Sequence, residues 1–150
     1  MRNKTNVRYV KIHYESFNGD VKCNLTYEVD IDKYPLNKIK LNADDIIRIA
    51  NKVGCEYIMF DRATNYPVTI GFNVTAMARC NDDTDLFNFD KGKHISLTRA
   101  QAKAFERTCH LYAEIEDLID GIASACTTFI YNNWEAGKKC WAHAAELGEY

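Results

Sequence analysis

Residues 76–107 read AMARCNDDTDLFNFDKGKHISLTRAQAKAFER, and the change of pattern inside this stretch decides the fold. Before it, apolar residues alternate with polar ones in short runs; after it, they recur every three or four residues. The first period distributes side chains over the two faces of a strand, and the second gathers them into one stripe of a helix. An α+β protein is therefore expected, mainly sheet over residues 1–90 and helical over residues 91–150, within a single domain. At 150 residues, 47% hydrophobic and 27% charged, the chain is long enough to bury a continuous core without disulfides or metal.

Working back from this stretch, Val10, Ile12 and Tyr14 alternate with Lys11, His13 and Glu15, and a second alternating run covers residues 21–31. Between them stands Phe17-Asn18-Gly19-Asp20, and Asn-Gly between two such runs is a strong hairpin signal. Residues 32–41 form a connection. Asn42 is a natural N-cap, Asp44 and Asp45 suit the positive end of a helix dipole, Ile46, Ile47, Ala50 and Val53 form a stripe, and Gly54 is placed to end the helix. Residues 55–60 and 68–80, rich in β-branched and aromatic groups and separated by the turn at 61–66 and Pro67, complete about four antiparallel strands.

Working forward, residues 81–90 form a loop dense in Asp, closed by Lys91-Gly92. A long helix is expected from Ser96 or Thr98, with Thr98 and Gln101 as a capping box. Leu97, Ala104, Leu111, Ile115, Leu118, Ile119, Ile122, Cys126, Phe129 and Ile130 keep a largely helical spacing. Gly121 and the polar run at 107–110 are the places for a bend. Asn132 with Glu135 makes a second capping box, which would open a C-terminal helix reaching Leu147.

The formal net charge of -2 supplies no global field to draw the protein onto nucleic acid or an anionic membrane, so binding must come from local patches. Lys91, Lys93, Arg99, Lys103 and Arg107 stand against Glu106 alone over residues 91–112. Arg99, Lys103 and Arg107 are four apart and line one helical face, with Lys93 near its start. They form either a nucleic-acid-binding stripe or a solvated face. From residue 113 onward the sign reverses: Glu114, Glu116, Asp117, Asp120, Glu135, Glu146 and Glu149 outweigh Lys138 and Lys139. Asp82, Asp83, Asp85 and Asp90 in the loop, with Glu114, Glu116, Asp117 and Asp120 on the helix, are acidic faces suited to a basic groove. Trp134 and Trp141, beside Tyr131, either close the core or form a surface for self-association or a partner.

Chemistry-bearing patterns are sparse. Cys140 and His143 lie one turn apart, with Cys109, His110 and Cys126 on the helix before them, but scattered single cysteines in apolar stretches read as buried thiols rather than a zinc site. The Asp loop lacks the turning glycine and distal glutamate of an EF-hand. No G-x-S-x-G, phosphate-binding loop or dinucleotide fingerprint occurs. No enzyme activity, metal or cofactor is expected. With six cysteines, no secretion signal and no apolar run of about 20 residues, a cytoplasmic protein is expected.

Ala78, Cys80, Asp85, Phe87, Gly92, Ile95, Arg99 and Ala100 form a strand ending in A-x-C, a D-x-F loop, a glycine and an aliphatic-led helix opening on Arg-Ala. This segment resembles one found in small accessory proteins of phages and prophages, with an extra residue between Cys80 and Asp85. The resemblance implies a protein that blocks a host macromolecule, a protein or ribonucleoprotein such as a CRISPR-type defence nuclease, here through acidic surfaces that imitate nucleic acid. The strand-loop-helix layout also resembles the end of a double-stranded-RNA-binding domain, which would give Lys93 and Arg99 phosphate contacts. A structural homo-oligomer, in its simplest form a homodimer, is the third reading.

Overall fold

The computed structural model describes residues 5–33, 36–79 and 88–147. β1 (Val7–Phe17), β2 (Asp20–Asp30), β3 (Tyr57–Phe60) and β4 (Pro67–Ala78) form one antiparallel sheet in the order β1-β2-β4-β3. Helix α1 (Ala43–Val53) follows β2, after a short 3-10 turn at Leu36–Lys38, and α2 (Phe89–Leu147) follows β4. The chain divides into two compact units, residues 1–112 and 113–150, and the division falls inside α2.

The local signals in the first half act as expected. Asn18 and Gly19 both take positive φ, 51° and 80°, the mirror-image turn that matches the twist of a two-stranded ribbon. Asn42 caps α1 by accepting from the Asp44 amide at 2.8 Å, and Gly54 ends it in the left-handed region at φ 91°. Its buried stripe is Ile46, Ile49 and Ala50; Ile47 is only half-buried, so the stripe turns by one position from the expected one. β3 is shorter than expected, beginning at Tyr57, and Pro67 opens β4 rather than preceding it.

The core lies on one face of the sheet. Val21, Cys23, Leu25, Tyr27 and Val29 of β2 alternate onto it, as do Ile70, Phe72, Val74, Ala76 and Ala78 of β4. Tyr27 and Phe72 are register partners and their rings stack at 5.2 Å. The opposite face carries Arg8, which holds Glu28 at 2.9 Å and Asp30 at 3.4 Å, while the Tyr57 ring crosses Gly71, where a β-carbon would collide with it. At the sheet's β1 edge the pairing slips between Tyr9 and Lys11, a bulge that discourages a further strand from adding there.

The helical half departs from expectation at three places. Helix α2 begins at Phe89, well before Ser96: Asn88 caps it, its side-chain oxygen accepting from the Lys91 amide at 3.1 Å. Lys91-Gly92 therefore lies inside the helix. Gly92 serves close packing there, because a β-carbon would stand 2.5 Å from the Val21 side chain. Thr98 does not cap; its hydroxyl donates to His94 O at 2.8 Å, a bond within the helix. Finally, Asn132 and Glu135 do not open a new helix. Asn133 turns its amide onto Phe129 O at 2.7 Å, and without proline or a left-handed glycine nothing stops the backbone. The expected long helix and C-terminal helix are one continuous helix.

Tyr27 adds a testable property. It is fully buried, and its hydroxyl makes no hydrogen bond of good geometry among the described residues, the Thr108 hydroxyl beside it donating to Ala104 O. Burial raises its pKa to about 12, the Arg107 charge only partly offsetting it. The folded protein thus holds this proton more tightly than the unfolded chain, whose tyrosines ionise near 10. The associated stability is complete below pH 10 and disappears as pH rises to about 12, by about 3 kcal/mol at most. Tyr27→Phe is expected to remove most of that alkaline loss while changing neutral-pH stability by about 1 kcal/mol or less. Denaturant melts of both proteins between pH 8 and 12 check it, on the order of one pH unit per step.

Candidate functional site

The basic stripe has a structural partner. β3 pairs with β4 only as far as Gly71, so beyond it the β4 edge turns backbone oxygens outward. Gly71 O accepts from Glu56 N at 2.8 Å. The next oxygens on the same edge accept from α2: Asn73 O from Arg107, Thr75 O from Lys103 and Met77 O from Arg99, at 2.8, 2.8 and 2.7 Å. The periods match, since four residues of helix rise about 6.0 Å and two residues of strand about 6.8 Å. The helix thus runs antiparallel to the strand and closes the open edge with one cation per carbonyl. Beside the stripe, Ser96, Ala100, Ala104 and Thr108 are buried at the same four-residue spacing, and their small size lets the helix lie close enough for the cations to reach. Lys93 is engaged differently, its ammonium 5.1 Å from the ring centres of both Tyr14 and Phe89.

The acidic residues are split between the two units. Asp82, Asp83 and Asp85 lie outside the described residues, and Asp90 is exposed in the first turn of α2. Glu116, Asp117 and Asp120 are exposed on the second unit and Glu114 is half-buried. Among the described residues, no three His, Cys, Asp or Glu side chains are close enough together to hold a metal ion. Cys109, Cys126 and Cys140 are exposed rather than buried, and His143 faces Glu146 at 3.6 Å. Cys80 lies outside the described residues. No described helix is long and apolar enough to cross a membrane.

The second unit carries the most conspicuous surface. Residues 121–134, GIASACTTFIYNNW, contain no charged side chain, and every one of them is exposed. Phe129, Ile130, Tyr131, Trp134 and Trp141 are 64–79% exposed, so neither tryptophan closes a core. Two apolar faces result. One holds Thr127, Ile130, Tyr131 and Trp134, which with Asn133 line a shallow open hollow; the other, half a turn away, holds Leu118, Ile122, Ala125 and Phe129. A helix apolar on both sides is normally a buried one. Sequence reading singled out the tryptophans but not Ile130 or Phe129 as surface groups. The signal was available in the uncharged run, but helical spacing alone does not tell a core stripe from an exposed one.

No family model, curated protein or solved structure matches this chain.

Proposed function

We propose that this is a non-catalytic accessory protein that works by docking on other proteins, and that residues 121–134 are its docking segment. The observation that carries this reading is a run of exposed, uncharged side chains including Ile122, Phe129, Ile130, Tyr131 and Trp134. Exposed apolar area of this kind is costly in water and marks interaction sites. Aromatic anchors of this type dominate interface energetics. Glu114, Glu116, Asp117 and Asp120, one to two turns ahead, give the segment an acidic end and favour a partner whose apolar groove has a basic rim. The resemblance to phage accessory proteins would make that partner a host defence component, bound in competition with nucleic acid.

Capture from host-cell lysate, with and without nuclease, tests the reading. The wild type is expected to retain a protein partner after nuclease treatment, and Phe129→Glu with Ile122→Glu to lose it at least about tenfold, with the helical circular dichroism intact. Equal capture by wild type and variant would remove the segment from the function. Recovery of nucleic acid, with proteins lost on digestion, would instead favour the basic residues of α2.

A further inference from the structure

Resting on that reading, we infer that one face of the docking segment is taken by a second copy of this chain, the two helices running antiparallel with Thr127 at their midpoint. The face is Glu116, Asp120, Ala123, Thr127, Ile130, Trp134, Lys138 and Trp141, spaced three and four apart and therefore on one side of α2. Its two halves differ in kind. The N-terminal half is acidic and small, with Glu116, Asp120, Ala123 and Ser124. The C-terminal half is bulky and basic, with Ile130, Tyr131, Trp134, Lys138 and Trp141.

Only the antiparallel arrangement brings unlike halves together. With Thr127 opposite Thr127, Glu116 lies level with Lys138 of the second copy, Asp120 with Trp134, Ala123 with Tyr131, Ser124 with Ile130, and Ala113 with Trp141. Each large side chain meets a small one or an acid. Side chains lean toward the helix N-terminus, so Lys138 reaches between Glu116 and Asp120 of the other copy. A parallel pair would instead stack acid on acid and tryptophan on tryptophan.

Within one copy, Lys138 pairs with Glu135 at 3.0 Å, whereas no ion pair of Glu116 or Asp120 occurs among the described residues. The size of the face also suits a dimer. Aromatic groups bury roughly 150–250 Å² each, so Tyr131, Trp134 and Trp141 with Ile130, counted on both copies, offer on the order of 1,000 Å². The face bearing Ile122 and Phe129 stays open to a different protein.

Sedimentation or light scattering of the full chain over a concentration series tests this. A dimer is expected, and Trp134→Glu is expected to be monomeric with unchanged helical circular dichroism. Glu116→Lys and Lys138→Glu should each weaken association about tenfold, while the double variant, which exchanges the two charges, should restore it. A parallel pair would not be rescued, because each position would then face the same residue of the second copy, like charge against like. A wild type that is monomeric throughout, or a double variant no better than the singles, overturns the antiparallel pair. If partner capture still depends on Ile122 and Phe129 in a monomer, docking stands and only self-association falls. If a dimer forms while capture ignores those residues, the reverse holds.

Discussion

Replacing Ala100 and Ala104 together by leucine is expected to destabilise the fold by about 1–3 kcal/mol per site, the cost of overpacking a closed core. Both alanines are fully buried between α2 and the sheet, in a row with Ser96 and Thr108. Extra methylene groups at fully buried positions have no free space and push the helix outward. The loss should exceed packing alone, because lifting the helix also draws Arg99, Lys103 and Arg107 away from carbonyls that they hold at 2.7–2.8 Å. The double variant should therefore be worse than the sum of the singles. Ala102→Leu, exposed on the same helix, is the control and should move stability by no more than about 0.5 kcal/mol. Denaturant midpoints measure all of these; a double variant as stable as the control would mean that the helix does not depend on close approach.

The parts of this structure that sequence reveals are those fixed by a few neighbouring residues. Asn18-Gly19 specifies a turn, and Asn42 and Gly54 bracket α1, because backbone sterics and one side-chain bond decide each case. The start of α2 was hidden because Gly92 ordinarily punctuates a helix; its reason for being there is Val21, a residue far away in the chain. The expected break at Asn132 failed for a related reason. Asparagine favours a cap when the backbone before it has left the helix, but here the helix runs unbroken through Asn132, and its neighbour Asn133 bonds the carbonyl one turn behind. The role of the basic stripe was equally out of reach. A four-residue charge spacing reads the same whether it faces phosphate, solvent or a strand. What brings the stripe onto the strand is that β3 is too short to cover β4, which no local pattern announces. For the tryptophans, sequence leaves core and surface open, and their exposure removes the core.

Neutralising the stripe as Arg99→Met, Lys103→Met and Arg107→Met is expected to cost about 1 kcal/mol per lost bond, about 3 kcal/mol in all, and to make the protein aggregate with rising concentration. Methionine keeps much of the length and apolar stem of these side chains and the helix propensity, so what is removed is the charged donor. Three carbonyls of β4 then lose their partners, Asn73, Thr75 and Met77, and the strand presents an open edge that another chain can extend. Because the bonds are charge-to-carbonyl rather than ion pairs, added salt should change the stability difference little. The same variants also test the nucleic-acid reading of these residues. If the stripe serves duplex RNA or DNA, the wild type will bind with a steep salt dependence, and each neutralised residue that contacts a phosphate will lower the log-log slope by about 1. An edge-closing stripe predicts the opposite pairing of results: stability and solubility fall together, and Lys103→Arg, which retains a donor, preserves both. Loss of salt-dependent binding with stability unchanged would reassign the three residues to nucleic acid.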